Sequence, residues 1–102
     1  MWNPYQFSGT PLISNIQASL FYPLGFLFYL MPAEQAYPFL LVMHCSLGCF
    51  FMYLFMRDLP VAPLAGCFAA MVFVFNGYFM AHVYAGHLTL VQNYIWIPLI
   101  FL

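Results

Sequence analysis

Residues 36–56 read AYPFLLVMHCSLGCFFMYLFM, twenty-one positions without one charged side chain. At 1.5 Å rise per residue, a helix of that length extends about 31 Å, enough to cross the hydrocarbon core of a bilayer. Residues 61–81, VAPLAGCFAAMVFVFNGYFMA, repeat the pattern at the same length. A third apolar run begins at Leu88 and continues to Leu102, where Pro98 is expected to kink it. The expected fold is all-α, with polytopic integral membrane helices at 36–56, 61–81 and a truncated 88–102.

Composition agrees with this reading. Of the 102 residues, 67% are hydrophobic and 3% are charged. Soluble domains carry roughly 25% charged residues. One Arg, one Asp, one Glu and no Lys cannot keep so apolar a chain dispersed in water. Clustered cations are missing too, which excludes a nucleic-acid partner. Cys45, Cys49 and Cys67 all lie inside apolar runs and read as small packing residues rather than a disulfide framework. No basic segment precedes a hydrophobic core, so no signal peptide is read. Met1 opens directly into polar sequence and Ile100-Phe101-Leu102 ends inside an apolar run. The expectation is a piece of a larger polytopic protein, with further helices as partners.

Ahead of the helices lies the one long stretch that mixes polar, aromatic and turn-forming residues, from Trp2 to Pro23. Residues 1–35 are read as an outer loop carrying a short helix at about 16–31. Asn3-Pro4 and Ser8-Gly9-Thr10-Pro11 are turn signals, and Ser14 to Gln17 matches a capping box. The helix that follows holds about 16 residues, fewer than the roughly 20 a span needs, so an interfacial position is expected. Pro32 and Glu34 suit the first turn of the next helix.

Arg57 is the sole basic side chain and sits in the tight Arg57-Asp58-Leu59-Pro60 turn. The positive-inside rule places that turn in the cytoplasm. Residues 1–35 and His82–His87 then lie outside. Tyr5, Tyr22, Tyr29, Tyr37, Tyr78, Tyr84 and Tyr94 fall toward the outer side, and Tyr53 alone lies near the inner one. They read as an interfacial belt, with a ligand-stacking surface as the sharper alternative. Ala62, Gly66 and Ala70 form a small-residue stripe that permits close helix approach. Asn76-Gly77 is expected to loosen the second span.

The polar side chains that bear chemistry are few. His82 and His87 are five apart; on an unbroken helix they diverge by about 140°, so no metal site is expected unless Gly86 breaks the helix. A hydrogen-bonding or proton-transfer role toward a phosphate or hydroxyl suits them better. Their alternative is to face lipid headgroups. Glu34 is the only outer carboxylate, although helix capping explains it without chemistry. His44 lies inside the first span and reads as a neutral, packed residue bonded to Ser46 or Asn76. Asp58 is expected to pair with Arg57. No cofactor-binding motif is present.

Trp2-Asn3-Pro4, Phe7-Ser8-Gly9-Thr10-Pro11, Asn15, Gln17 and Phe21-Tyr22-Pro23-Leu24 together resemble the first extracytoplasmic loop of the bacterial YfhO-like membrane proteins. Ala65-Gly66, Phe75-Asn76-Gly77-Tyr78-Phe79, Gly86-His87 and Trp96-Ile97-Pro98-Leu99 follow in that family's order. The resemblance implies a GT-C-like fold in the bacterial plasma membrane. It also implies transfer of a sugar from a polyprenyl-phosphate donor to a cell-envelope acceptor. In such enzymes an outer-loop acid precedes the Trp-Asn-Pro pattern, so here it is expected upstream of Met1. Asn15, Gln17, Tyr22 and His87 are the expected substrate-binding residues, and His87, His82 and Glu34 the candidates for catalysis. A non-enzymatic alternative is a flippase-like subunit that moves a lipid-linked envelope precursor.

Overall fold

The computed structural model describes residues 2–5, 8–11 and 21–102. It is mostly helical and divides into two compact units, residues 1–37 and 38–102, with one long helix running through the boundary.

In the first unit, β1 (Trp2–Asn3) pairs antiparallel with β2 (Thr10–Pro11), a two-residue ribbon inside the expected loop. The turn signals explain it. The Asn3 side chain accepts a 3.0 Å hydrogen bond from the Tyr5 amide, and Ser8 and Gly9 take positive φ of 60° and 109° to bring the chain back. A Cβ on Gly9 would stand 2.5 Å from the Trp2 indole nitrogen, so only glycine fits here. The expected helix at 16–31 does not run unbroken. Tyr22 is extended (φ −71°, ψ 124°), because the residue before a proline avoids the helical region. Beyond it come a 3₁₀ turn, Pro23–Phe26, and α1 (Leu27–Leu30). The Ser14–Gln17 capping box lies outside the described residues.

Helix α2 (Ala33–Arg57) is 25 residues long, about 37 Å. It starts three residues before the expected Ala36, since the Pro32 carbonyl already accepts from the Gln35 and Ala36 amides. Glu34 in its first turn and Arg57 in its last both complement the helix dipole. Pro38 falls early enough that the helix continues through it.

The second apolar run is divided into α3 (Pro63–Val74) and α4 (Gly77–Tyr84). Asn76 caps α4, its side-chain oxygen accepting from the Phe79 amide at 2.9 Å. Together they make a 22-residue apolar run, Pro63–Tyr84, and among the described residues this run and α2 are the two helices long and apolar enough to cross a membrane. Only 17% of the most apolar window of α2 and 22% of that of Pro63–Tyr84 is buried. Phe39, Val42 and Phe50 on α2, and Leu64, Phe68 and Val72 on α3, are all more than half exposed.

The third run gives α5 (Leu88–Tyr94) and α6 (Ile97–Ile100), together too short to count as a third such helix. The break follows from Pro98. It has no amide hydrogen to donate, and its ring conflicts with the carbonyl four residues back, at Tyr94.

Within the second unit α2 and α3 run antiparallel. Gly66 lies against Tyr53 and Met56, the Cys49 thiol reaches the Ala70 carbonyl at 3.6 Å, and Gly48 lies against Val74. Gly66, Ala70 and Val74 form the buried face of α3, whereas Ala62 is exposed. The small-residue stripe is thus occupied by α2, one turn further along than expected. Gly48 is where α2, α3 and the end of α5 converge: a Cβ there would lie 3.2 Å from both Val74 and Ile95. Val74, Phe79, Val91 and Ile95 are the buried core of this unit.

Candidate functional site

Polar chemistry in the second unit concentrates where α3, α4 and α5 meet. Asn76 is central to it. Besides capping α4, its amide nitrogen donates to the Phe73 carbonyl and to the Tyr94 hydroxyl, the latter at 2.9 Å. Tyr94 in turn stacks on Phe73, with ring centres 4.6 Å apart and planes 18° apart. The rings continue outward: Tyr78 lies 6.2 Å from Tyr94 and 4.4 Å from His82, and His82 lies 5.4 Å from His87. The result is a continuous aromatic ledge from the half-buried Asn76–Tyr94 bond through the half-buried His82 to the exposed His87 imidazole.

The expected divergence of His82 and His87 is not observed, and the local backbone explains why. Helix α4 ends in a Schellman motif. The His87 amide donates to the His82 carbonyl at 2.9 Å, the Gly86 amide donates to Val83 at 3.1 Å, and Gly86 takes φ +75°. That wrap carries the chain back over the last turn and sets His87 beside His82. A Cβ on Gly86 would meet nothing within 4 Å, so the only obstacle to a side chain there is conformational. Gly86→Ala is expected to destabilise this helix end by about 1–2 kcal/mol. Amide exchange at His87 should quicken, while the α2–α3 contacts stay unchanged.

Three polar side chains on these helices bond to the nearest acceptor, their own helix backbone. His44, fully buried, donates from Nδ1 to the Leu40 carbonyl at 2.6 Å. Ser46 donates to Val42 at 2.9 Å, and His82 from Nδ1 to Tyr78 at 2.8 Å. All three bonds span four residues. Ser46 bonds to Val42, and Asn76 bonds to Phe73, Tyr94 and Phe79. Gln92, 2% exposed, keeps a side-chain oxygen with no hydrogen-bond partner among the described residues.

The other expected site residues lie elsewhere along the chain. Glu34 is exposed in the first turn of α2, and Tyr22 is half-buried at the head of the 3₁₀ turn, both in the first unit. Asn15 and Gln17 lie outside the described residues. At the opposite end of the α2–α3 pair, Arg57 borders a small cleft with Tyr53, Pro63 and Gly66. The expected Arg57–Asp58 ion pair does not form, and neither residue has an ion-pair partner among the described residues. Neighbours in sequence at a helix end do not face each other. No three His, Cys, Asp or Glu side chains converge among the described residues.

Comparison with protein families, with curated proteins and with solved structures finds no match to this chain.

Proposed function

We propose that this chain is a multi-pass unit of a bacterial plasma-membrane glycosyltransferase of the YfhO-like, GT-C kind. In this reading α2 and the Pro63–Tyr84 run cross the bilayer, with the Arg57 turn in the cytoplasm and the His82–His87 turn outside. Support for insertion comes from the exposed flanks. A core helix of a water-soluble domain would be mostly covered, whereas these helices leave Phe39, Val42, Leu64 and Phe68 uncovered. Contiguous apolar surface of that extent requires lipid or other helices.

The ledge from Asn76 through Tyr94, Tyr78 and His82 to His87 is the observation that carries the functional reading. Neutral imidazoles donate to and accept from phosphate and hydroxyl oxygens, and aromatic faces cover sugar rings. A polyprenyl-phosphate sugar presents these groups at the membrane surface, beside its lipid tail. His87 holds the phosphate or a sugar hydroxyl in this scheme.

His87→Ala in membranes carrying the complete protein is the test. Transfer from a radiolabelled polyprenyl-phosphate sugar should fall about tenfold to a hundredfold, the worth of one hydrogen bond to a charged group. Membrane insertion should be unaffected. Undiminished transfer would leave His87 a headgroup-facing residue.

A further inference from the structure

We propose that His82 and His87 bind one divalent transition-metal ion between them, a borderline cation such as Cu2+ or Zn2+. The proposal does not depend on the glycosyl-transfer reading. It rests on three features of the Schellman turn.

The first is distance. A metal ion binds imidazole nitrogen at about 2.0–2.1 Å, which puts each ring centre about 3.2 Å from the metal. Two rings at a tetrahedral angle on one ion then stand about 5 Å apart, centre to centre. The observed separation is 5.4 Å, with the planes inclined at 50°. The second is the tautomer of His82. Its Nδ1 lies 2.8 Å from the Tyr78 carbonyl, which can only accept, so Nδ1 carries the proton. In the neutral ring Nε2 keeps its lone pair, and the ring is held in place by the outer bond that metal-binding histidines ordinarily have. The third is access. His87 is exposed and its side chain has no hydrogen bond among the described residues, so binding a cation displaces only water.

The backbone brings the two residues together before any ion arrives. The amide of His87 is bonded to the carbonyl of His82 itself, so the two ligand-bearing residues are tied at 2.9 Å through the main chain. No third His, Cys, Asp or Glu converges on them among the described residues. Water fills the open positions, or a phosphate oxygen does. Among divalent ions, Cu2+ should bind most tightly to this pair.

The test uses the full chain in lipid nanodiscs, without a histidine tag, titrated with Cu2+ and read by electron paramagnetic resonance. Two imidazole nitrogens should appear in the hyperfine pattern at one equivalent. His82→Ala and His87→Ala should each leave one nitrogen and weaken apparent affinity at least tenfold, since loss even of an outer-shell partner costs about 10–100-fold. Circular dichroism of His87→Ala should match the parent chain, because that side chain is exposed beyond the end of α4. A pattern from one nitrogen or from sulfur, or binding that neither substitution alters, would overturn the proposal and mark an adventitious ion only.

Discussion

Replacing Gly48 with leucine should drive the three-helix crossing apart. An added Cβ alone would already lie 3.2 Å from Val74 and from Ile95, closer than ordinary contact. Alanine is therefore tolerated only if both neighbours yield by a few tenths of an ångström. Leucine adds three more carbons to a space bounded by two branched side chains on different helices. Overpacking of this kind costs about 1–3 kcal/mol where neighbours can shift, and Gly48→Leu should lie at the upper end. Helix association in lipid relies on close packing rather than on expulsion of water, so no compensating gain from the larger apolar side chain is available. Titration with a denaturing detergent in mixed micelles should show Gly48→Leu unfolding well before the parent chain and Gly48→Ala only slightly before it. Equal midpoints for all three would mean that α2, α3 and the end of α5 do not converge at Gly48.

Asn76→Ala should have the second largest effect, because one side chain serves three partners. Loss of the α4 cap costs about 1 kcal/mol. The Tyr94 hydroxyl loses a donor and the Phe73 carbonyl loses another, and half-buried groups deprived of a partner cost about 1–3 kcal/mol more. Together these come to about 2–4 kcal/mol, and the lower half of that range is expected because the Phe73 carbonyl still receives the Tyr94 hydroxyl. Tyr94→Phe removes the hydroxyl at one end of the same network. The double substitution should therefore cost less than the sum of the singles, as for any pair sharing one hydrogen bond. Tyr94 still bonds to Phe73, at 3.3 Å, so the coupling is partial rather than complete. Strict additivity would show that Asn76 and Tyr94 act separately.

These two residues also show what kinds of information the sequence holds. That the chain loosens at Asn76 is legible, because Asn-Gly interrupts an apolar run and asparagine is a strong N-cap. The break after Tyr94 is equally legible from Pro98. The partner of the Asn76 amide is not legible, since Tyr94 is eighteen residues away and reaches it only after α5 folds back. For the histidines the signal is local and lies in Gly86, a helix breaker legible in the sequence. His82, three residues before the cap at Ala85, and His87, just beyond Gly86, occupy the two positions that a Schellman turn brings together. A helix wheel places them about 140° apart because it ignores the left-handed residue between them. Arg57 and Asp58 illustrate the converse error, where adjacency in sequence suggests a pair that backbone geometry turns apart.

His44 and Gln92 remain as buried polar groups in an otherwise apolar unit. The first is bonded to its own helix backbone, and the second keeps an unpartnered oxygen. In the proposed membrane disposition both would face the bundle interior, where intramembrane polar residues ordinarily lie.

The membrane disposition is tested most directly by cysteine accessibility. Asp58→Cys and Tyr84→Cys place thiols at the two ends of the α3–α4 run, and both positions are exposed. Intact cells are treated with a membrane-impermeant maleimide. Tyr84→Cys should be labelled at once and Asp58→Cys only after the cells are opened. Labelling of Asp58→Cys in intact cells, with Tyr84→Cys protected, would invert the orientation and remove the ledge from the outer face. Release of the chain from membranes by alkaline carbonate would contradict the spanning helices altogether.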